Sequence, residues 1–129
     1  MVTYLLDTSV IIDALNNKKS RRELLRNLIR QGDALGCCPI NITEVYAGLR
    51  PKEEQSTAGF LRSLQLYPMT WPVAEMAGFL KRDYRKKGQT LNLGDVIIAA
   101  TALYHRLTLI TDNVKDFPME DLSLYPLPD

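Results

Sequence analysis

The chain has 129 residues, of which 46% are hydrophobic and 24% charged, and a formal net charge of +1. This balance is typical of a folded globular protein and excludes a disordered chain, while the length suits one domain with one core, which we place at residues 1–129. No apolar stretch reaches the roughly 20 residues of a membrane span. Because Asp7 and Asp13 interrupt the apolar N-terminal run, we expect no signal peptide and a cytoplasmic location.

Short apolar runs alternate along the chain with stretches of helical periodicity. The predicted strands are residues 3–6, 34–38, 66–69, 107–111 and 122–125. The predicted helices are residues 9–15, 21–31, 41–49, 52–64, 71–87 and 95–104. Strict alternation of this kind implies right-handed crossovers and an α/β fold with a parallel sheet that is covered on both faces. Pro68 predicts an edge position for the third strand, or a position at the end of a strand.

Two local patterns carry structural predictions. The segment Ser20–Glu23 has the sequence of a capping box, in which the Ser hydroxyl and the Glu carboxylate each satisfy a free backbone N–H. The two cysteines, Cys37 and Cys38, are adjacent in an apolar strand, so their side chains should lie on opposite faces of the sheet as buried, reduced thiols.

Five acids stand where a strand ends, where a helix begins, or a short loop beyond. They are Asp7, Glu44, Asp95, Asp112 and Asp116. Because the carboxyl ends of parallel strands share one edge, these acids can converge, and a cluster of like charges then needs protons or a cation to neutralise it. Oxygen ligands favour Mg²⁺ or Mn²⁺, as one or two ions that activate water against a phosphodiester.

Each acid also has a structural interpretation. Asp95 could be the N-cap of its helix, and Glu44 could complete a capping box begun by Asn41. Asp112 could belong to a turn, and Asp116 could cap the turn after it. Asp7 is the hardest to explain in this way, because it lies directly between two apolar runs.

Basic residues cluster in two places. Arg22, Arg26 and Arg30 share one helix face, and residues 81–87 are the densest positive stretch of the chain. Both could be solvated helix faces, or could bind phosphate backbones with Tyr84 as a stacking residue.

Four separated segments together resemble the PIN-domain ribonucleases, most closely the VapC toxins of toxin–antitoxin pairs. These segments are Leu5–Asp13, Ile42–Gly48, Asp95–Ala102 and Leu109–Asn113, the last followed by Asp116–Phe117. The resemblance implies a three-layer α/β/α sandwich with a central, mainly parallel sheet. It also implies endonucleolytic cleavage of RNA, commonly tRNA or rRNA, with Mg²⁺ or Mn²⁺.

When the family motifs are matched residue by residue, the resemblance implies that Asp7, Glu44 and Asp95 bind the metal. The fourth acid is Asp112 or Asp116, and Asp112 is favoured here as the one nearer to the metal. Thr8, Thr111 and Asn113 match positions that orient the site or the substrate.

The resemblance further implies a homodimer and a small cognate antitoxin whose tail packs into a groove and occludes the cleft. Two alternatives stay open: a nuclease of the same type in RNA maturation without an antitoxin, and a catalytically silent RNA- or protein-binding domain on the same fold. A phosphoacceptor or phosphatase domain is disfavoured, because Ser9 stands where a second Asp would follow Asp7.

Overall fold

The computed structural model describes residues 1–128. Its five strands are β1 (Thr3–Leu6), β2 (Ala34–Cys37), β3 (Gln65–Leu66), β4 (Thr108–Ile110) and β5 (Ser123–Leu124). Its six α-helices are α1 (Thr8–Leu15), α2 (Arg21–Arg30), α3 (Pro39–Ala47), α4 (Glu54–Ser63), α5 (Trp71–Lys86) and α6 (Leu93–His105). Two short 3₁₀ turns cover Pro51–Glu53 and Val114–Asp116.

The strands form one sheet in the order β3-β2-β1-β4-β5, and every neighbouring pair is parallel. Helices cover both faces, so the predicted α/β/α sandwich is confirmed. The third predicted strand does lie at an edge of the sheet, and the last predicted strand forms the other edge.

The core has two halves, one on each face of the sheet. Successive residues of β1 point to opposite faces: Leu5 packs with α5 and α6, and Leu6 packs with α1, α2 and α4. Cys38 and Cys37 divide between the same two halves, and both are buried and free, which confirms the prediction for the thiols. Among the residues from 1 to 128, no helix has the length and apolarity needed to cross a membrane.

Three helices begin earlier than the periodicity predicts. Helix α1 begins at Thr8, directly after its N-cap Asp7. Helix α3 begins at Pro39, since proline is favoured in the first turn of a helix. Helix α6 begins at Leu93, because Asn92 caps it.

The capping box predicted at Ser20 is wrong. Ser20 precedes α2, but its backbone is left-handed, with φ of 57°, and its side chain makes no capping hydrogen bond. An N-cap residue needs an extended backbone for its side chain to reach the free N–H groups of the helix. Lys19 and Ser20 are instead in the left-handed conformation.

Candidate active site

The sheet reverses its direction of growth between β1 and β4. From β1 the chain adds β2 and β3 on one side, and later β4 and β5 on the other. Asp7 follows β1 and Thr111 follows β4, and the Asp7 N–H donates to the Ile110 carbonyl at 2.9 Å. In open α/β sheets, ligands bind in the crevice outside such a switch point.

Asp7 is buried at this crevice, with 5% of its surface exposed. Its Oδ1 accepts from the Thr8 N–H at 2.8 Å, and its Oδ2 accepts from the Thr111 hydroxyl at 2.7 Å. Burial raises the pKa of the Asp7 carboxyl, and the charge of Glu44 adds to that rise, whereas the hydrogen bonds from Thr111 and Thr8 lower it. The carboxylate is therefore fixed in orientation while burial disfavours its charge.

Glu44 is tied to Asp7 through a chain of hydrogen bonds. The Thr8 hydroxyl donates to Glu44 Oε1 at 2.6 Å and accepts from Asn41 Nδ2 at 2.9 Å. Because α3 begins at Pro39, Glu44 lies in its second turn and cannot complete a capping box there. Helix α3 thus places Glu44 against Thr8, the residue next to Asp7.

Asn41 is the residue that sequence reasoning missed as part of the site. It is fully buried, and its Oδ1 accepts from the Cys38 N–H at 2.8 Å while its amide holds Thr8. Its position three residues before Glu44 puts both side chains on one helix face, which is a signal that the sequence does contain.

Asp95 lies in the first turn of α6 but is not its N-cap. That position belongs to Asn92, whose Oδ1 accepts from the Gly94 N–H at 2.8 Å. A Cβ added to Gly94 would lie 3.4 Å from Glu44 Oε2, so the start of α6 packs closely against that acid.

The charge environment of Asp95 identifies the acids that face it. Burial raises the pKa of its carboxyl to about 6, and the charges of Asp7, Asp116 and Glu44 contribute in that order. Asp95 therefore lies within electrostatic range of acids from three other segments of the chain.

Asp112 and Asp116 differ in what they face. Asp112 Oδ1 accepts from Arg21 Nη2 at 2.6 Å, whereas Asp116, in the turn that follows, acts on Asp95. The sequence favours Asp112 as the acid nearer to the metal, but here that carboxylate is engaged by Arg21. Asn113 donates its backbone N–H to the Thr111 hydroxyl at 3.0 Å, and its side chain lowers the pKa of Asp7.

The PIN domain family model matches residues 4–118, which includes all of these acids. The chain belongs to the PIN-domain family. The resemblance noted in the sequence is therefore confirmed across nearly the whole chain.

Relatives of this PIN domain carry the name VapC ribonuclease. The chain is 34% identical to ribonuclease VapC10 of Mycobacterium tuberculosis over 115 residues, covering 89% of this chain and 86% of that protein. It is 31% identical to ribonuclease VapC19 of the same organism, covering 89% and 92%. It therefore also belongs to the VapC ribonucleases.

Solved structures agree on the fold. A toxin–antitoxin complex from Klebsiella pneumoniae contains a chain with 30% identity and a TM-score of 0.77, covering 92% of this chain and 94% of that one. VapBC2 from Rickettsia felis, bound to a promoter DNA fragment, aligns with a TM-score of 0.82, covering 96% and 98%; at 24% identity it supports the fold alone.

The donors of this PIN domain fit a hydrated divalent cation. Within the described part of the chain, no three acid, histidine or cysteine side chains are gathered closely enough to enclose an ion on their own. Mg²⁺ does not require such a cage, because it keeps several waters and binds through one or two carboxylates. The acids here offer only oxygen ligands. Burial first, and then the charge of neighbouring acids, raises the pKa of Asp7 and Asp95, and a bound cation would offset both effects.

Proposed function

We propose that this chain is a metal-dependent endoribonuclease that acts in the cytoplasm as the toxin of a toxin–antitoxin pair. The observation that carries the proposal is the convergence of Asp7, Glu44, Asp95 and Asp116 at the switch point of the sheet, where the pKa of Asp95 is raised to about 6. The VapC ribonucleases to which it is similar supply the substrate class, RNA.

Asp7, Glu44, Asp95 and Asp116 would hold one or two Mg²⁺ or Mn²⁺ ions. A divalent cation at that place supplies Lewis-acid chemistry, lowering the pKa of a bound water and stabilising negative charge on phosphate oxygens. We place Asp116 in this set in preference to Asp112, because Asp116 faces Asp95 while Asp112 faces Arg21.

The chain's own groups have distinct roles in this proposal. Thr111 and the Thr8 N–H hold the two oxygens of Asp7, and the Thr8 hydroxyl holds Glu44. Without a metal the pKa of the Asp95 carboxyl is raised to about 6, and a bound cation would favour its ionised form, in which it can serve as a ligand.

Three basic side chains at the C-terminal end of α5 suit the RNA backbone. We name this surface the basic ridge; it consists of Arg85, Lys86 and Lys87. All three are exposed, and within residues 1–128 none of them forms an ion pair. Lys81 donates to the Leu91 carbonyl, directly before the cap of α6, and so fastens the ridge to the helix that carries Asp95.

An apolar groove between α1, α2 and α4 suits the antitoxin. It encloses about 360 Å³ and is lined by Leu25, Ile29 and Phe60, with Arg22 and Arg26 beside them. Ile29, an apolar side chain of α2, is 56% exposed. An amphipathic segment that carries acidic residues would bury this surface, and a homodimer of such pairs is the assembly we expect from the resemblance.

The test is cleavage of total cellular RNA by the purified chain, free of antitoxin, with Mg²⁺ or Mn²⁺. EDTA and the Asp95→Asn variant are the controls, and the fragment ends are sequenced. Discrete fragments that disappear in both controls support the proposal and identify the substrate. If folded wild-type protein leaves RNA intact with either metal, a silent binding domain replaces the nuclease as the better assignment.

A further inference from the structure

Arg21 is the most unusual basic residue of the chain, because its charged side chain is almost completely buried. The exposed fraction is 5% for Arg21 and 20% for its partner Asp112. In each other ion pair within residues 1–128, one partner or both lie mainly in solvent. Burying two charges is costly unless good geometry and further hydrogen bonds compensate for the lost hydration, so this pair requires an explanation.

The pair is joined end to end by a single contact. Arg21 Nη2 donates to Asp112 Oδ1 at 2.6 Å, and Nη1 donates to the Lys19 carbonyl at 3.1 Å. The remaining Arg21 Nε and Asp112 Oδ2 are buried and have no hydrogen-bonding partner among the described residues. A pair that served stability alone would gain more from the two-pronged contact that Arg and a carboxylate can form.

Asp112 is the middle residue of a turn that holds Asp7. The Thr111 hydroxyl accepts the Asn113 N–H at 3.0 Å across Asp112 and donates its proton to Asp7 Oδ2 at 2.7 Å. A hydroxyl has one proton to donate, so this turn decides where that proton points. A contact that holds Asp112 in place therefore holds the turn, and the turn sets the orientation of the Asp7 carboxylate through the Thr111 hydroxyl.

We propose that Arg21 is a positioning residue of the active site, which acts through Asp112 and the Thr111–Asn113 turn to orient the Asp7 carboxylate. This inference rests on the proposed nuclease function. It assigns Asp112 to Arg21 and not to the metal, and it gives the buried pair a role in catalysis.

Two substitutions distinguish positioning from metal ligation. Asp112→Asn keeps an oxygen for Arg21 but removes a charge, whereas Arg21→Met removes the donor and leaves Asp112 charged. Mn²⁺ affinity, measured by electron paramagnetic resonance, and single-turnover RNA cleavage are compared with wild type. Arg30→Met, on an exposed position of the same helix, is the matched control.

Positioning predicts that Arg21→Met loses roughly 10- to 100-fold in both measurements, as is typical of groups that orient metal ligands. Asp112→Asn should lose less than Arg21→Met, because its amide oxygen can still accept from Arg21. Arg21→Lys should restore part of that loss, because an ammonium can still donate to Asp112 Oδ1. If Asp112 is instead a ligand, the order is reversed: Asp112→Asn loses Mn²⁺ affinity, and Arg21→Met keeps or raises it.

A third result would also overturn the proposal, by showing that the pair serves stability alone. In that case Arg21→Met lowers the melting temperature, while cleavage and Mn²⁺ affinity stay unchanged at temperatures below the melting point. If Arg21→Met does not fold, a loss of more than about 10-fold in the Mn²⁺ affinity of Asp112→Asn still refutes positioning, and a smaller loss supports it. Should wild-type protein cleave no RNA, the nuclease proposal fails separately. The carboxyl ¹³C signal of Asp7, which must shift further in Arg21→Met than in Asp112→Asn, then decides the positioning proposal alone.

Discussion

Replacing Asp95 by Asn should stabilise the metal-free protein at neutral pH while it abolishes cleavage. The pKa of Asp95 is raised from 3.8 to about 6 in the folded chain, first by burial and then by the charges of Asp7, Asp116 and Glu44. Taken in full, a rise of about two units costs about 3 kcal/mol of stability once the group ionises. Because Asp95 is only partly buried, solvent screening reduces that cost to about 1 kcal/mol.

The pH range follows from the direction of this shift. Below the unfolded pKa the carboxyl is protonated in both states and carries no penalty, and the penalty grows as the pH rises through the folded pKa near 6. Asn has no proton to lose. The two proteins should therefore be equally stable near about pH 3, below the unfolded pKa of 3.8, and the variant should melt about 3 °C higher near about pH 7.5.

The assay is thermal unfolding of both proteins in EDTA at the two pH values, repeated with Mg²⁺. Glu54→Gln is the control, because Glu54 is an exposed acid in the first turn of α4 and should lose slightly in stability when its favourable interaction with the helix N-terminus is removed. Mg²⁺ should raise the melting temperature of wild type more than that of Asp95→Asn. A variant less stable than wild type at neutral pH would refute the reasoning, since Asp95 would then serve the start of α6.

Three further predictions concern the surroundings of the acids. Gly94→Ala should reduce cleavage at least several-fold without unfolding, because the new Cβ would lie 3.2 Å from the capping Asn92 Oδ1 and 3.4 Å from Glu44 Oε2 and would displace both, whereas Gly78→Ala, with open space around its Cβ, should leave cleavage unchanged. Asn41→Leu should lower stability by about 2 to 3 kcal/mol in urea unfolding, because it leaves the buried Cys38 N–H without its acceptor; unchanged stability would contradict this. Replacing the basic ridge by Gln in the Asp95→Asn background should weaken RNA binding and lower the slope of log affinity against log salt by about 2. The same change at three exposed residues away from α5, namely Arg30, Lys52 and Arg62, should not weaken RNA binding. An equal loss there would mean that net charge, and not the position of the basic ridge, determines RNA affinity.

The sequence was sufficient for the architecture because its signals there are local. A polar residue between two apolar runs marks the end of β1, and alternation of strand and helix patterns implies parallel pairing. From these follows the edge at which Asp7, Glu44 and Asp95 meet. The errors at helix starts are also local, since α3 begins at Pro39 and α6 at Leu93, each two residues before the periodic apolar pattern.

What the sequence could not provide is the partner of each polar group. Arg21 stands beside Arg22 in a charged helix start, and nothing in that pattern distinguishes the buried arginine from its neighbour. Its partner Asp112 lies 91 residues away, and the bond from Thr111 to Asp7 spans 104 residues. Which acid lies near Asp95 and which contacts an arginine depends on such long-range contacts, so the proposal of Asp116 in preference to Asp112 rests on the structure.

The acids converge where the backbone is least able to yield. Strand β1 is paired on both sides, Leu5 and Leu6 beneath the site are fully buried, and the N–H of Asp7 is itself bonded to β4. Repulsion between carboxylates could be relieved by moving them apart, but at Asp7 such a movement would break sheet pairing and core packing together. At Asp7 the rigidity of the central strand therefore leaves a proton or a cation as the way to relieve this repulsion, which in the metal-free protein remains as a cost in stability.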